Sequence, residues 1–384
     1  MHKLRVLLTG GGTGGHIFPL IAVAEELQSQ AQEFGLDLDL RYFGGDYEYA
    51  QNLTDQNIKF VPIISSKLRR YWSFLNLIDF IKFPFSLLQI SWKIFWFMPD
   101  VVFSKGGPGA LAVVLVSRLY FIPVVIHESD SIPGLTNKIS GFFAKKTFLA
   151  FSSAEPYLGK SNAEIVGNPV RKSLMAELNF LEQYGEDAAN QAKKSLGLNL
   201  TEPVILFLGG SQGARRINDF ILENLEILIR DFQILHQVGE RNYDVYKKEF
   251  EFLTKDWSDI EKNRYQFKAF FDKDLAEALL ASGAVVARAG SGTIFELAAF
   301  GKPAILIPLL ESANGHQKKN AYLYSETGAA LVIQEENLLG NLLVTELKTV
   351  VQNKDLLKKM SDSARSFYKP DSAKIIAKHL LSYV

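Results

Sequence analysis

The sequence contains no cysteine and no surplus of charge of either sign. Without thiols, disulfides, zinc–thiolate sites, iron–sulfur clusters and cysteine nucleophiles are excluded. The 384 residues carry 42 basic and 42 acidic side chains, so the formal net charge at pH 7 is zero. Because nucleic-acid binders usually neutralise phosphates with an excess of Lys and Arg, this balance argues against a nucleic-acid partner.

The sequence also lacks an uninterrupted run of about 20 apolar residues, the length needed to cross a bilayer. Lys82 and Lys93 interrupt one candidate stretch, and Arg118 and Pro123 interrupt another. The chain reaches a glycine-rich turn within its first residues, too early for a secretory signal peptide. We therefore expect a cytosolic protein, or one that binds a membrane from outside.

Short apolar segments alternate with amphipathic segments of helical length, which is typical of βα units in parallel sheets. Residues 4–8 are predicted as a buried strand, followed by a glycine turn at 10–15 and a helix from about Pro19 to Gln30. The same order of strand, glycine turn and helix returns at residues 203–229. The repeat predicts an α/β protein with two Rossmann-like domains.

The C-terminal part of the sequence, beyond Gln334, is predicted to be helical. Its last helix, predicted at 371–383, has an apolar face that suits packing across the first domain. A polar helix predicted at 177–195 lies near the boundary between the domains. The predicted divisions are an N-terminal domain at 1–168, a C-terminal domain at 169–365, and a segment at 366–384 whose helix returns to the N-terminal domain.

Five of the six residues in the turn at 10–15 are glycines. Glycine lets the backbone approach an anionic group closely, and the following helix offers its first amides to that group. The turn also satisfies the dinucleotide pattern G-x-G-x-x-G, but the second predicted strand lacks an acidic residue at its tip. A nicotinamide or flavin cofactor is therefore not predicted, and a tight turn without a ligand is the remaining alternative.

His16 directly follows this turn. A near-neutral imidazole at this place suits a general base that takes a proton from a substrate hydroxyl. A polar residue that merely fills the first turn of the helix is an equally good interpretation of His16 alone.

The second half of the sequence contains two further loops that suit an anion. The turn at 209–213 includes Ser211, whose hydroxyl adds a donor to the backbone amides. The loop at 288–293 leads into a helix that holds Glu296, which suits a nucleoside diphosphate with Glu296 on the ribose hydroxyls. The alternative for Glu296 is a carboxylate that interacts favourably with the helix dipole.

Metal ligands are not indicated, because the six histidines show no ligand spacing and D-x-D occurs only at 37–39 and 272–274. No metal and no other cofactor is predicted. A reaction that expels a nucleoside diphosphate must then stabilise the leaving charge with amides, hydroxyls and helix dipoles, which the three loops supply.

The segment 62–98 combines aromatic and basic residues. It holds ten of the 46 aromatic residues and five cations against the single acid Asp79, so its formal charge is +4. This composition suits an anionic lipid surface, where each cation contributes about 1 kcal/mol. A well-packed pair of hydrophobic helices with lysines that extend to solvent explains it equally well.

As a set, these residues resemble the MurG family, bacterial transferases that convert lipid I to lipid II in peptidoglycan synthesis. The likeness covers almost the whole chain through eight motifs in the family's order. The motifs lie at residues 10–19 (GGGTGGHIFP), 67–71 (KLRRY), 127–130 (HESD), 133–138 (PGLTNK), 167–171 (GNPVR), 209–215 (GGSQGAR), 296–303 (ELAAFGKP) and 316–321 (HQKKNA).

The resemblance implies a GT-B fold, in which two Rossmann-like domains face a cleft. It also implies an inverting, metal-independent transfer of GlcNAc from UDP-GlcNAc to the C4 hydroxyl of undecaprenyl-diphospho-muramyl-pentapeptide. The C-terminal domain would hold the donor, and the N-terminal domain would approach the lipid acceptor. Implied partners are UDP-GlcNAc, lipid I, the anionic cytoplasmic face of the inner membrane, and other cell-wall and division proteins.

The resemblance also assigns roles to residues by matching position, with His16 as the catalytic residue. Donor contacts fall on Thr13, Gly14, Gly15, Asp130, Arg171, Ser211, Phe271, Ser291, Gly292, Thr293, Ile294, Phe295, Glu296 and Gln317. Contacts to the acceptor or its diphosphate fall on Gly11, Gly12, Gly106, Gly107 and Glu128. The membrane surface falls on Arg69, Arg70, Trp72, Lys82, Phe85, Trp92, Lys93 and Trp96.

The chain departs from the family pattern at two places. Asp130 stands where many members have Asn, so an amide contact to the sugar becomes that of a carboxylate. Pro108 and Ala110 replace an aromatic residue and a Ser or Thr, which removes an amide and a hydroxyl from the loop expected near the acceptor diphosphate.

Two rival functions follow from the same residues. A UDP-GlcNAc 2-epimerase has a similar fold but does not need the basic and aromatic segment 62–98. A catalytically silent nucleotide-sugar-binding scaffold is suggested by Pro108 and Ala110.

Overall fold

The computed structural model describes residues 3–45, 47–65, 74–158, 162–210, 213–272 and 274–383. The chain forms two compact units. Unit 1 comprises Met1–Lys172 and Lys369–Val384, and unit 2 comprises Ser173–Tyr368. The divisions predicted after 168 and 365 fall a few residues before these two points.

Each unit contains one parallel sheet. Among the described residues, the strands of sheet 1 in unit 1 are β1 (Lys3–Thr9), β2 (Asp37–Gly44), β3 (Lys59–Pro62), β4 (Val101–Ser104), β5 (Val124–Glu128), β6 (Lys146–Leu149) and β7 (Ala163–Ile165). Those of sheet 2 in unit 2 are β8 (Val204–Leu208), β9 (Gln233–Gln237), β10 (Tyr265–Lys268), β11 (Ala284–Ala287), β12 (Ala304–Leu306) and β13 (Ala330–Val332). The strand orders are β3-β2-β1-β4-β5-β6-β7 and β10-β9-β8-β11-β12-β13.

Helices connect the strands. They are α1 (Gly14–Glu33), α2 (Ala50–Asp55), α3 (Phe74–Phe97), α4 (Ala110–Leu119), α5 (Leu135–Gly141), α6 (Lys172–Glu182), α7 (Ala188–Ser195), α8 (Arg215–Glu223), α9 (Leu225–Asp231), α10 (Tyr243–Leu253), α11 (Asp259–Asn263), α12 (Leu275–Ala281), α13 (Ser291–Ala299), α14 (His316–Ser325), α15 (Gly340–Gln352), α16 (Lys354–Phe367) and α17 (Ser372–Leu381).

The central strands are buried on both faces, which explains why their sequences are continuous apolar runs. Every residue of β8 and of β11 is buried. In β1, Leu8 belongs to the core under α1, whereas Leu7 belongs to the core under α3 and α4. Helices therefore cover both faces of sheet 1, and the predicted fold class of two Rossmann-like domains is confirmed.

The C-terminal helix α17 packs against α1 in unit 1, as the fold prediction required. Ile376, Ala377 and Leu380 are fully buried in the core that includes residues of α1 and β1. The Ser372 hydroxyl donates to the carbonyl oxygen of Gly167 at 3.2 Å. The two ends of the sequence thus contribute to one core.

The predicted start of the first helix was wrong, because α1 begins at Gly14 and not near Pro19. Thr13 is extended, and the His16 N–H donates to the Thr13 carbonyl at 3.0 Å. Pro19 lies inside the helix, where its missing N–H affects only the carbonyl of exposed Gly15 in the first turn.

Two other predicted helices are each divided. The helix predicted at 216–229 is broken at Asn224, whose side-chain amide donates to the Phe220 carbonyl at 2.8 Å. Asparagine competes in this way with regular helical bonding. The polar helix predicted at 177–195 is divided into α6 and α7, with Gly185 between them in the left-handed region at φ 57°.

A polar network lies in the core of unit 2. His236 is 2.7 Å from the Tyr265 hydroxyl through Nδ1 and 3.1 Å from Asn218 Oδ1 through Nε2, and the Tyr246 hydroxyl also contacts Tyr265. Asn218 Nδ2 donates to the Val238 carbonyl, which fixes its amide and leaves Oδ1 as an acceptor. His236 is therefore protonated on Nε2 alone, and burial lowers its pKa to about 3.

This network predicts a pH-dependent stability. The pKa of His236 in the folded protein lies below its unfolded value of about 6.5. The contribution of the neutral imidazole to the unfolding free energy is therefore complete above about pH 6.5 and is lost as the pH falls toward 3. From pH 7 to pH 5, we expect wild type to lose about 2 kcal/mol of unfolding free energy relative to His236→Gln. Urea denaturation at both pH values measures this difference, and equal pH slopes in the two proteins would contradict it.

Candidate active site

The carboxyl ends of three adjacent strands in sheet 1 bring the predicted acceptor residues together. Thr9 at the end of β1 pairs with Ser104 at the end of β4, which pairs with Ile126 in β5. Parallel strands in this register end at one edge of the sheet. Glu128 ends β5 at this edge, and the loops that leave it hold Gly11, Gly12, Gly106, Gly107 and the predicted donor contact Asp130.

The glycine turns that follow β1 and β4 pack directly against each other. A Cβ atom at Gly107 would lie 2.2 Å from the Gly11 carbonyl oxygen, and Gly107 has a φ of 88°. Both space and conformation therefore require glycine at 107. A Cβ at Gly12 would lie 3.1 Å from Pro108 Cδ. The proline that departs from the family pattern thus packs against the first glycine turn.

Tyr42 supports the first glycine turn from β2, and sequence analysis did not identify it. Its side chain is fully buried, and its hydroxyl donates to the Gly10 carbonyl. Next to it, the Thr9 hydroxyl donates to the Phe43 carbonyl at 2.9 Å. The local signal was a tyrosine near the end of a predicted strand, since a tyrosine hydroxyl that becomes buried needs a partner.

His16 lies in the first turn of α1, two residues after the helix begins. Its side chain is half-buried, Gly14 is buried and Gly15 is exposed. The structure thus places the imidazole beside the glycine turn at the amino end of a helix. This position suits both interpretations of His16, and its catalytic role stays a prediction.

A buried lysine, which sequence analysis did not identify as a site residue, lies beneath these loops. Lys105 is 1% exposed. Its Nζ lies 2.6 Å from His127 Nδ1 and 3.1 Å from Asn168 Oδ1, and it also contacts the Ser129 hydroxyl. His127 Nε2 is 2.8 Å from the Gly167 carbonyl oxygen. Lys105 therefore connects the ends of β4 and β5 to the segment after β7.

Two carboxylates accompany this lysine. Glu128 is buried, and it accepts from the Asp130 N–H at 2.9 Å and from Asn137 Nδ2 at 3.0 Å. Burial and the charge of Asp130 raise the pKa of Glu128 above its usual value. Burial lowers the pKa of Lys105, an effect that the charges of Glu128 and Asp130 oppose. Burial and the Lys105 charge keep the pKa of His127 well below its usual value.

Arg171 belongs to unit 1 in the structure, although the resemblance assigned it to the donor. Its guanidinium lies 4.5 Å from the centroid of the Phe18 ring on α1. The neighbouring Lys172 N–H donates to Glu25 on the same helix at 3.2 Å. Contact between Arg171 and a donor stays a prediction.

The described donor residues predicted in unit 2 follow the ends of β10, β11 and β12 in sheet 2. Phe271 follows β10, the segment Ser291–Glu296 begins α13 after β11, and Gln317 follows β12. Ser211 lies outside the described residues. The Gln317 side-chain oxygen accepts from the Leu309 N–H at 3.0 Å, which fixes the loop after β12.

The amino end of α13 has an unused hydroxyl. Ser291 is 5% exposed, and its Oγ makes no hydrogen bond to any described residue. Glu296 lies further along α13 and is half-buried. A buried donor without a partner at a helix amino end suits an anionic ligand oxygen.

Three predicted donor contacts have side chains that point into the protein core. Ile294, Phe295 and Phe271 are each at most 1% exposed, and Phe295 packs on the ring of Phe367. In this conformation only their main chains are available to a ligand. Gly292 and Thr293 remain half-exposed.

Gln237 at the end of β9 joins two of the donor loops, and sequence analysis did not identify it. Its Nε2 donates to the Gly210 carbonyl at 3.0 Å, and its Oε1 accepts from the Phe271 N–H at 3.0 Å. One buried amide therefore holds the glycine turn after β8 beside the loop after β10.

A buried carboxylate shared by two arginines fixes the remaining loops of this edge. Glu335 contacts Arg288, and it accepts from Arg216 at 2.7 Å through its other oxygen. Arg288 also donates to the Ile307 carbonyl at 3.2 Å, and Arg216 to Glu311 at 2.9 Å. The side chains of Arg288 and Glu335 are less than a tenth exposed.

Removing this carboxylate should be costly. Because Glu335→Ala leaves a buried arginine without its counter-charge, we expect a loss of about 3–5 kcal/mol in unfolding free energy. Glu336→Ala, at the exposed neighbouring position, is the matched control and should change it by less than about 0.5 kcal/mol. Urea denaturation measures both, and similar values would contradict the role of Glu335.

The described part of the predicted membrane surface lies on α3. Lys82, Phe85, Trp92 and Trp96 are exposed, whereas Lys93 is half-buried and donates to the Pro62 carbonyl at 2.9 Å. Arg69, Arg70 and Trp72 lie outside the described residues.

The exposed apolar face of α3 is larger than predicted. Leu88 and Phe95 are also exposed, whereas Ile90 and Ile94 are buried in the core of unit 1. The helix is therefore apolar on two faces. In the part of the chain that the structure describes, no helix is both long and apolar enough to span a membrane. That part also contains no group of three His, Asp or Glu side chains suited to a metal.

Two Rossmann-like units with anion-suited loops at the carboxyl ends of their strands define a GT-B-like protein. The family model of the glycosyltransferase family 28 N-terminal domain matches residues 6–149, and that of its C-terminal domain matches residues 204–376. The chain belongs to this family and, within it, to the MurG-type N-acetylglucosamine transferases, so the resemblance is confirmed.

Named relatives support this membership over nearly their full length. One from Clostridium botulinum (strain Alaska E43 / Type E3) is 34% identical over 356 residues, covering 92% of each chain. One from Legionella pneumophila (strain Lens) is 34% identical and covers 91% of this chain and 90% of the relative. Both are named UDP-N-acetylglucosamine–N-acetylmuramyl-(pentapeptide) pyrophosphoryl-undecaprenol N-acetylglucosamine transferase.

Solved structures show the same fold. MurG of Acinetobacter baumannii matches with a TM-score of 0.69 at 24% identity, covering 99% of both chains. A UDP-GlcNAc 2-epimerase from Neisseria meningitidis matches with a TM-score of 0.68 at 15% identity, covering 99% of this chain and 100% of the epimerase. At these identities the likeness concerns the fold alone, so it does not distinguish the two activities.

Proposed function

We propose that the protein is an N-acetylglucosaminyltransferase, a hexosyltransferase of peptidoglycan synthesis. It moves GlcNAc from UDP-GlcNAc to the C4 hydroxyl of undecaprenyl-diphospho-muramyl-pentapeptide, converting lipid I to lipid II. The observation that carries the proposal is membership of the transferase family over almost the whole chain, since relatives at 32–34% identity bear the name of this activity. The reaction inverts the anomeric centre and uses no metal or other cofactor.

Unit 2 holds the donor in this proposal. The diphosphate of UDP-GlcNAc lies at the amino end of α13, where the Ser291 hydroxyl lacks a described partner. Glu296, further along the same helix, accepts from the ribose hydroxyls. The loop amides and the helix dipole stabilise the charge that develops on the departing UDP. Thr13, Gly14, Gly15, Asp130 and Arg171 of unit 1 are further proposed donor contacts.

Unit 1 supplies the acceptor site and the base. The turns at Gly11–Gly12 and Gly106–Gly107 offer backbone amides to the acceptor diphosphate. His16 accepts the proton of the C4 hydroxyl as that oxygen attacks the anomeric carbon. The bond between the anomeric carbon and the diphosphate oxygen breaks, and UDP leaves with the electron pair.

The decisive experiment is transfer to a short-chain lipid I analogue, with the disaccharide product and the release of UDP both measured. Product formation without added metal supports the proposal. Conversion of UDP-GlcNAc without acceptor supports the epimerase instead. Binding of UDP-GlcNAc without any turnover supports the silent scaffold.

His16→Ala tests the base within this assay. We expect kcat to fall about 10²- to 10⁴-fold, which is typical for the loss of a general base, while UDP-GlcNAc affinity by calorimetry stays unchanged. Gln32→Ala, at an exposed position near the other end of α1, is the control and should keep full turnover. Wild-type turnover in His16→Ala would remove His16 from the mechanism.

We also propose a peripheral location on the cytoplasmic face of the bacterial plasma membrane. The exposed face of α3 supports it, because Trp92 and Trp96 are 67% and 69% exposed and their ring centroids lie 5.8 Å apart. Aromatic pairs on such a helix suit the interface of a bilayer. Contacts with other cell-wall and division proteins are proposed from the family resemblance.

Vesicle binding tests this surface. The double substitution Trp92→Ser and Trp96→Ser should weaken binding to anionic phospholipid vesicles at least tenfold, since each large apolar side chain contributes about 1.5–3 kcal/mol when buried. Phe252→Ser and Ile260→Ser remove equally exposed side chains from unit 2 and form the matched control. Equal losses in the two double variants would exclude α3 as the membrane surface.

A further inference from the structure

The partners of Lys105 establish its protonation state. His127 Nε2 faces the Gly167 carbonyl oxygen, which only accepts, so this nitrogen carries the ring proton. The neutral ring then leaves Nδ1 as an acceptor for Lys105. Ser129 Oγ lies 3.1 Å from Asn168 Oδ1, another pure acceptor, and so directs its only proton there.

Lys105 must consequently donate to three acceptors, namely His127 Nδ1, Ser129 Oγ and Asn168 Oδ1. A neutral amine has only two hydrogens. It could accept from Ser129 instead, but the contact between Ser129 and Asn168 would then have no hydrogen. The ammonium form satisfies every contact, so Lys105 is a buried cation despite the cost of its burial.

A buried cation requires a counter-charge. All three atoms that bind the ammonium are neutral, so the compensation comes from beyond them. Glu128 and Asp130 are the charged groups that act on Lys105, and both favour its charged form. The Glu128 carboxylate accepts from the Asp130 N–H and from Asn137 Nδ2, which holds this carboxylate in place.

The negative charge of Asp130 also affects the proposed acceptor site. Together with Glu128, Asp130 places a second negative charge beside the proposed site of an anionic acceptor. Two carboxylates at one strand end would repel a diphosphate. A cation on the adjacent strand end offsets that repulsion.

We propose that Lys105 is a positioning residue for the acceptor. Its ammonium joins the ends of β4 and β5 to the Gly167–Asn168 segment, and it compensates the charge of Asp130 so that an anionic acceptor can approach the turn at Gly106–Gly107. The identity of the acceptor rests on the proposed function.

A double-mutant cycle tests this compensation. Lys105→Met in the wild-type background should lower kcat/KM for the lipid I analogue at least tenfold, mainly through KM. In the Asp130→Asn background the same substitution should lower it less than threefold, because only the charge of Glu128 is then left to compensate. UDP-GlcNAc affinity measured by calorimetry should be the same in Lys105→Met and wild type.

Lys302→Met is the matched control. Lys302 is half-buried, lies in unit 2 and donates to the carbonyls of Leu280 and Ser282. Its substitution should lower stability without changing acceptor KM. Equal effects of Lys105→Met in the two Asp130 backgrounds, or acceptor kinetics in Lys105→Met like those in Lys302→Met, would overturn the proposal.

Two further measurements keep the test decisive. Should Lys105→Met fail to fold, Ser129→Ala removes one ammonium partner and should raise acceptor KM about threefold, and an unchanged KM would count against Lys105.

Should wild type transfer nothing, the proposed function fails, and inorganic pyrophosphate binding under saturating UDP tests Lys105 separately. Pyrophosphate should then bind Lys105→Met at least tenfold more weakly than wild type. Equal or undetectable binding in both overturns the proposal.

Discussion

At the carboxyl edge of each sheet, loops are held by a buried charged side chain whose hydrogen bonds must all be satisfied. Parallel sheets bring many loops to one edge. In unit 1, the Lys105 ammonium binds residues from two further segments, and the Gly167 carbonyl beside it also accepts from Ser372 of α17. In unit 2, Glu335 pairs with Arg288 and Arg216. One buried charge in each unit thus connects loops that are distant in sequence.

The fold could be predicted because its signals are local. A buried parallel strand such as β8 is a continuous apolar run, and the glycines after it announce a turn without reference to any distant residue. The errors were local as well. Pro19 suggested a helix start, whereas the glycines at 14 and 15, poor helix formers, concealed the true one. Asn224 breaks a helix through its own side chain, a choice that apolar periodicity does not reveal.

The polar framework of the site could not be predicted, because its partners are distant in sequence. Lys105 and Asn168 are 63 residues apart, and Arg216 and Glu335 are 119 apart. Motifs supplied the residues that face a ligand, such as Ser291, but not those that hold the loops. Lys105 directly follows the buried strand Val101–Ser104, but its own burial, and with it the need for a counter-charge, is visible only in the fold. The nearby Asp130 was visible as a departure, yet only the fold brings the two together.

The helix α3 shows why composition alone left two interpretations open. A packed helix and a membrane-binding helix were alternatives in the sequence, but α3 combines both properties. Ile90 and Ile94 fill the core, while Trp92 and Trp96 remain exposed on the same helix. The structure also changes which side chains of α3 are expected to contribute most to membrane binding. Lys93 already donates a hydrogen bond to the Pro62 carbonyl. A cation near a lipid surface contributes about 1 kcal/mol to membrane binding, whereas a large apolar side chain that becomes buried contributes about 1.5–3 kcal/mol. Attachment through α3 should therefore depend more on its aromatic residues than on its charge.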